Sequence, residues 1–74
     1  MLYVGEGQKG NQTLTGANFR LANSKYYQTT VVLFIDGRYY GEVELSSKYY
    51  EDKQRDVDGL LRTVLIFPLK RKNA

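Results

Sequence analysis

The sequence predicts a small, mainly β domain, either a five-stranded barrel of the OB-like or SH3-like kind or a curved antiparallel sheet. Three features support this fold class: an Asp-Gly turn between two strand-like runs, a strongly apolar run near the C-terminus, and shorter strand-like segments near the N-terminus. The chain has 74 residues, about half the usual size of a domain. We therefore expect one domain over residues 1–69, followed by a basic tail over residues 70–74.

The N-terminal segment is expected to supply two short strands. Leu2-Tyr3-Val4 is apolar and aromatic, and residues 13–21 alternate in part, with apolar side chains at Leu14, Phe19 and Leu21. Gly16 fits a bulge in the second of these strands.

A glycine-rich segment, residues 5–11, connects the two expected strands and predicts a flexible loop. It contains the spacing G-x-G-x-x-G, which in dinucleotide-binding proteins opens a helix. Strand-like residues follow here instead, so the spacing does not indicate a dinucleotide site. A weak phosphate contact through Lys9 is the role left open.

The central segment predicts a β-hairpin with strands at about 27–35 and 38–45. Asp36-Gly37 separates two runs rich in β-branched and aromatic residues, and both central positions of a type I′ turn require a positive φ. With this two-residue turn Ile35 lies opposite Arg38, and regular pairing from there divides the side chains between two faces.

One face of this hairpin is expected to belong to the core, and it carries Val32, Phe34, Tyr39, Val43 and Leu45. The opposite face carries a mixed set, namely Val31, Leu33, Ile35 and Tyr40 beside Arg38, Glu42 and Glu44. A strand face in water does not ordinarily carry three aliphatic side chains. This face is therefore either covered by protein or used as a binding surface.

The segment that follows the hairpin leaves two alternatives open, a short helix at about 47–57 or a structured loop. Ser46-Ser47 can cap a helix and Gly59 can end one, but few apolar residues are spaced to form a buried helical face. The apolar run at about 61–67 predicts the last strand, and its lack of alternation predicts contacts on both faces. Pro68 has no N–H to donate, so it predicts a strand end or a sheet edge.

The composition argues against catalysis. The chain has no Cys and no His, which excludes thiol nucleophiles, imidazole bases, disulfides and the usual zinc sites. We expect a non-enzyme without a metal or a cofactor. No apolar run approaches the roughly 20 residues that span a bilayer, and the N-terminus lacks the features of a signal peptide. These absences predict a cytoplasmic protein that does not contact membranes.

The charge is unevenly distributed along the chain. The net charge is +3, but residues 42–58 contain six acidic and three basic residues, whereas residues 59–74 contain four basic residues and no acidic one. The basic C-terminal residues can contact phosphates, or they can simply keep a small domain in solution. An acidic middle segment would have to lie away from a bound polyanion.

Tyrosine is the unusual residue of this chain. There are seven tyrosines, and six of them form the pairs Tyr26-Tyr27, Tyr39-Tyr40 and Tyr49-Tyr50. Adjacent residues on a strand point to opposite faces, so each pair on a strand directs one ring outward. Outward rings near basic residues suit stacking of nucleic-acid bases, but they also suit protein interfaces, and tyrosine is in any case a good strand former.

These features give two functional hypotheses, and the residues carry no motif that assigns the chain to a known family. The first is a non-catalytic protein that binds single-stranded nucleic acid through Arg20, Lys25, Tyr27, Arg38, Tyr40, Lys70, Arg71 and Lys72. The second is a small protein-interaction module, an inhibitor or adaptor of the mobile-element type, that contacts a protein partner through Val31, Leu33, Ile35 and Tyr40. Either hypothesis is compatible with a homodimer, because a chain this short buries a modest core and has no crosslink.

Overall fold

The computed structural model describes residues 1–72 of the chain, which contain five strands and one helix. In chain order they are β1 (Leu2–Val4), α1 (Gly16–Ala22), β2 (Val31–Ile35), β3 (Arg38–Leu45), β4 (Tyr50–Arg55) and β5 (Leu61–Arg71). All pairings are antiparallel and join the strands into one sheet. The predicted mainly β fold is confirmed in the form of a curved antiparallel sheet, because the sheet does not close into a barrel.

Strand β5 is the centre of the sheet. Strand β1 pairs along one edge of β5, from Leu2 opposite Pro68 to Val4 opposite Ile66. Strands β3 and β4 follow one another along the other edge, opposite residues 69–71 and 61–66 respectively. Strand β2 pairs with β3 and lies at the far side of the sheet.

The sequence predicts a strand end near Pro68, but β5 continues through this residue to Arg71. Proline has no N–H for the ladder. Opposite Pro68, no strand of residues 1–72 pairs with β5 on the edge that β3 and β4 share, because the chain there forms the connection 46–49. The Ser46 N–H still donates to the Pro68 carbonyl at 2.9 Å. Because β5 continues, Lys70 and Arg71 are strand residues. Residues 73–74 of the expected tail lie outside the described residues.

The core lies on one face of the sheet. Its buried side chains come from β2, β3 and β5, namely Leu33, Val43, Leu45, Leu65, Phe67 and Leu69. Leu21 and Ala22 of α1 pack against this cluster, and so do Tyr3 and Tyr49. Every residue from Val64 to Leu69 is buried, so both faces of β5 are covered, as its lack of alternation predicts.

Helix α1 replaces the second strand that the sequence predicts at 13–21. The buried or half-buried residues of this segment include Asn18, Leu21 and Ala22, which are spaced as one face of a helix. Phe19, which suggests strand alternation in the sequence, is 45% exposed. The prediction was wrong because the most deeply buried position on this face is the polar Asn18, which a hydrophobic pattern does not reveal.

Two buried amides hold the glycine-rich loop, which the sequence predicts to be flexible. The Gln12 side chain donates to the carbonyls of Gly5 and Gly7 at 2.6 and 3.1 Å, and its Oε1 accepts from the Leu65 N–H at 2.8 Å. Asn18 accepts from the Glu6 N–H at 2.7 Å and donates to the Glu6 carbonyl at 3.0 Å. Gln12 therefore completes the edge of β5 where β1 ends, and it fixes the loop to the sheet.

Strand β4 occupies the segment for which the sequence predicts either a helix at 47–57 or a loop. Its ladder with β5 runs from Tyr50 opposite Ile66 to Arg55 opposite Leu61. Five of its six side chains are exposed, and only Gln54 is half-buried. The strand was missed because it carries almost no buried apolar side chain; pairing with the apolar β5 holds it in place.

Candidate nucleic-acid interface

A β-bulge in the hairpin decides which side chains share a surface. The two-residue turn is as predicted, with φ of 51° at Asp36 and 77° at Gly37. Ile35 lies opposite Arg38 and Phe34 opposite Tyr39, but Leu33 then lies opposite Gly41 instead of Tyr40. Gly41 has a φ of 142°, which glycine adopts readily, and Tyr40 is the extra residue of the bulge.

The bulge changes the faces that regular pairing predicts. Of the residues expected in the core, Val43 and Leu45 are buried, but Val32, Phe34 and Tyr39 are 48%, 58% and 63% exposed. Of the residues expected to face outward, Leu33 belongs to the core, Val31 is half-buried, and Ile35 and Tyr40 are exposed. The predicted protein-contact patch is therefore corrected: in the folded chain Leu33 is not available to a partner.

Tyr40 and Arg71 form the best-defined contact among the predicted site residues. The Arg71 guanidinium carbon lies 4.4 Å from the centroid of the Tyr40 ring, and Nη2 donates to the Tyr40 carbonyl at 3.1 Å. The register places Arg71 opposite Val43, on the core face of the sheet but beyond the core. A Cβ at Gly41 would lie 3.7 Å from Arg71 Nε, an ordinary van der Waals contact, so the φ of 142° and not a lack of space favours glycine here.

Arg38 extends this cluster toward the tip of the hairpin. Arg38 lies opposite Ile35 in the register, and both line an open cavity together with Asp36, Tyr39 and Tyr40. We call Ile35, Arg38, Tyr40 and Arg71 the hairpin platform. It offers one aromatic ring and two guanidinium groups on a single surface.

The acidic residues of β3 lie on the other face. Glu42 and Glu44 alternate with the buried Gly41, Val43 and Leu45, so they point away from the hairpin platform. Lys70 is opposite Glu44, and its Nζ lies 3.9 Å from the Glu44 carboxylate. Lys70 therefore shares a face with the acids and not with Arg71.

Lys25 and Lys72 come together in a second place. They line a cavity of about 360 Å³ with Glu44 and with Val43, the register partner of Arg71. The backbone N–H of Lys72 donates to the Glu42 carbonyl at 2.9 Å, so residue 72 still lies along β3. Both lysines are exposed.

Arg20 and Tyr27 lie on the α1 side of the molecule. Arg20 is in the last turn of α1 and lines a cavity of about 300 Å³ between the helix and β2. Tyr27 follows the helix, is 64% exposed, and packs edge-to-face on Tyr26 with ring centroids 4.9 Å apart. The structure therefore gathers Arg38, Tyr40 and Arg71, brings Lys25 to Lys72, and places the other three predicted residues elsewhere.

One exposed aromatic pair on the hairpin was not expected from the sequence. Phe34 and Tyr39 pack edge-to-face with centroids 5.8 Å apart, on the face opposite the hairpin platform. They were assigned to the core because the bulge was not predicted. The available signal was Gly41 itself, since a glycine inside a strand often marks a bulge.

The remaining sequence predictions concern membranes and metals. Within residues 1–72, the seven-residue α1 is the one helix, and it is too short to cross a membrane. No three Asp or Glu side chains in this part of the chain gather into a group that could hold a metal ion.

Comparisons with protein-family models, with curated proteins and with solved structures found no match to this chain.

Proposed function

We propose that this protein binds single-stranded nucleic acid, without catalysis, through the hairpin platform. The observation that carries the proposal is the Arg71 guanidinium over the Tyr40 ring, beside Arg38, on a face from which Glu42 and Glu44 are turned away. The bulge thus keeps the carboxylates of Glu42 and Glu44 off this surface, and the carboxylate that lines the same cavity as Arg38 and Tyr40 belongs to Asp36 at the turn.

The proposed mechanism combines stacking with phosphate contacts. A nucleic-acid base has two π-faces, and it can stack on the free face of the Tyr40 ring or on the outer side of the guanidinium plane. Arg38 and Arg71 can each pair with a phosphate, and guanidinium groups present two donors in a plane that fits phosphate oxygens. Lys25 and Lys72 lie beside Glu44, so we expect them to make weaker phosphate contacts than Arg38 and Arg71.

The other three predicted residues have lesser roles in this proposal. Tyr27 is exposed and can stack on a base that leaves the platform toward α1, and Arg20 can contact a phosphate there. Lys70 lies on the opposite face beside Glu44, so we expect its replacement to have little effect on binding.

The test compares two neighbouring tyrosines. Because the chain has no Trp, its intrinsic fluorescence comes from tyrosine, and a stacked base is expected to quench it. Base stacking contributes about 1–3 kcal/mol, so Tyr40→Ala is expected to weaken oligonucleotide binding about 5- to 150-fold. Tyr39→Ala removes an equally large exposed ring from the opposite face and is expected to leave binding within about 2-fold.

A salt series completes this test. Neutralised phosphates make the logarithm of the affinity fall linearly with the logarithm of the salt concentration, and Arg38→Gln is expected to reduce that slope by about one unit. Equal losses in Tyr39→Ala and Tyr40→Ala, or no oligonucleotide binding by the natural sequence at low salt, would contradict the proposal.

The second candidate function is a protein-interaction module, and a specific observation favours it. Val32, Phe34 and Tyr39 form an exposed apolar surface on the hairpin, and such surfaces on small proteins often mark interfaces. With Leu33 in the core, the contact face of this alternative moves from Ile35 and Tyr40 to these three residues. A salt-insensitive complex with one protein, lost in Phe34→Asp but kept in Tyr40→Ala, would favour it over nucleic-acid binding.

A further inference from the structure

The sheet has three outer strands, and they differ in how their free edges are protected. Strand β1 has three residues, which is too short to template a partner. Strand β4 carries four charged residues among its six, namely Glu51, Asp52, Lys53 and Arg55. Strand β2 has five residues, all apolar, with no charge and no proline. Charges, prolines and short length are the means by which proteins prevent edge pairing, and β2 has none of them.

The free edge of β2 also has backbone groups to offer. Ile35 pairs with Arg38 across the two-residue turn, and antiparallel strands alternate the direction of their N–H and C=O groups. Val32 and Phe34 therefore turn these groups away from β3. Among the hydrogen bonds of residues 1–72, no side chain or loop contacts them.

We propose that β2 is the interface of a homodimer, in which it pairs antiparallel with β2 of a second copy about a two-fold axis at Leu33. This register is self-complementary. It places Val32 opposite Phe34 of the second copy, and Val31 opposite Ile35 of the second copy. Each exposed Phe34–Tyr39 pair then lies beside a Val32 that is 48% exposed in the single chain.

The charges around β2 favour a second copy as the occupant. Asp36 and Arg38 lie at the same end of β2, so the two-fold axis places their counterparts at the other end of the shared sheet. Strand β2 itself carries no charge, so the pairing buries none, and Arg20 of α1, which lines the cavity beside Val32 and Leu33, is exposed. On the core face the axis brings Leu33 next to Leu33 of the second copy, so that the two small cores become continuous.

The dimer extends the proposed function without depending on it. A two-fold axis perpendicular to the sheet keeps the same face of both copies on one side. Both hairpin platforms would then face one side of a continuous sheet, one toward each end. The experiments below use no nucleic acid, so their outcome is independent of whether the platform binds it.

The first experiment uses the absence of cysteine from the chain. Val32→Cys and Phe34→Cys are prepared separately, mixed and oxidised, and the products are separated by non-reducing electrophoresis. In the proposed register the two thiols are directly opposite, at a distance that a disulfide can bridge, whereas identical positions are two residues apart. The mixture is expected to give at least 5-fold more disulfide dimer than either variant alone.

A control pair uses a different edge of the sheet. Tyr50→Cys mixed with Phe34→Cys places the second thiol on β4, and this mixture is expected to give no more dimer than the single variants. Equal crosslinking of all mixtures, or none in the Val32→Cys and Phe34→Cys mixture, would overturn the proposal.

The second experiment measures mass directly. In sedimentation equilibrium the apparent mass of the natural sequence is expected to rise with concentration from 8.5 kDa, the mass of one chain, toward twice that value. Phe34→Lys is expected to stay at the mass of one chain, because it places a charge on the free edge of β2. Val57→Lys adds the same charge at a turn residue that is 73% exposed, and it is expected to dimerise like the natural sequence.

Each experiment can decide the proposal without the other. If far-UV circular dichroism shows that Phe34→Lys fails to fold, the crosslinking pattern alone decides the proposal. A natural sequence that remains at the mass of one chain up to millimolar concentration, or a folded Phe34→Lys that dimerises normally, would refute it.

Discussion

Gly5 is the residue at which a single methyl group is expected to do most damage. It follows β1, and its N–H donates to the Leu65 carbonyl at 2.8 Å. A Cβ built at this position would lie 2.8 Å from Asn18 Oδ1, 2.9 Å from Gln12 Oε1 and 3.1 Å from Phe67 Cε2. All three distances are shorter than a comfortable contact, and all three partners belong to buried side chains.

The expected loss of stability in Gly5→Ala follows from these contacts. Overpacking a closed site costs about 1–3 kcal/mol. The two amide oxygens that the methyl group displaces accept hydrogen bonds from Glu6 N–H and Leu65 N–H, and weakening them adds about 1 kcal/mol. We expect a total of about 2–4 kcal/mol, which for a domain of this size lowers the Tm by about 10–25 °C.

Thermal and urea unfolding, followed by circular dichroism, measure this loss. Gly10→Ala is the matched control, because Gly10 has a φ of 69° but nothing within 4 Å of its Cβ position. It is expected to cost only the backbone strain of about 1 kcal/mol. In an Asn18→Ala background the closest clash is gone, so Gly5→Ala is expected to cost measurably less there. A Gly5→Ala protein as stable as Gly10→Ala would refute this account of the loop.

Three further substitutions, at Gln12, Gly41 and Arg71, have expected outcomes. Gln12→Ala leaves the Leu65 N–H without an acceptor, so it is expected to lower the free energy of unfolding, measured by urea titration, by about 2 kcal/mol. A loss below about 0.5 kcal/mol would mean that water replaces the amide. Gly41→Ala strains a φ of 142° and is expected to cost about 1–2 kcal/mol, with unchanged stability showing that the bulge tolerates a side chain. Arg71→Lys keeps the charge but loses the planar group over Tyr40, so we expect oligonucleotide affinity to fall about 3- to 10-fold at constant salt. An unchanged affinity would mean that Arg71 contributes only its positive charge.

The sequence predicts the parts of the fold that local chemistry determines. The Asp36-Gly37 turn is confirmed because its backbone conformation is available mainly to these residue types. The burial of both faces of β5 is confirmed because a strand without alternation has no solvated face. In both cases the information lies within a few consecutive residues.

The parts that were missed depend on partners distant in the chain. Strand β4 has little apolar character of its own, and it is held by a ladder to β5 that no local pattern indicates. The inward face of α1 includes Asn18, whose burial is compensated by hydrogen bonds to the glycine-rich loop. A hydrophobic pattern detects only the burial of apolar groups, so polar groups that are buried with partners escape it.

The bulge at Tyr40 explains why the two faces of the hairpin were assigned incorrectly from the sequence, and it also forms the surfaces proposed to bind nucleic acid and a second copy. One extra residue in β3 turns Leu33 into the core and leaves Val32 and Phe34 exposed on a free edge. The same residue places the Tyr40 ring under Arg71, while Glu42 and Glu44 stay on the opposite face. Regular pairing would have mixed these acids with Arg38 and Tyr40 and would have buried Phe34. The cationic aromatic surface and the exposure of Val32 and Phe34 beside the free edge therefore have one structural cause, so a change that removes the bulge is expected to weaken both oligonucleotide binding and dimerisation.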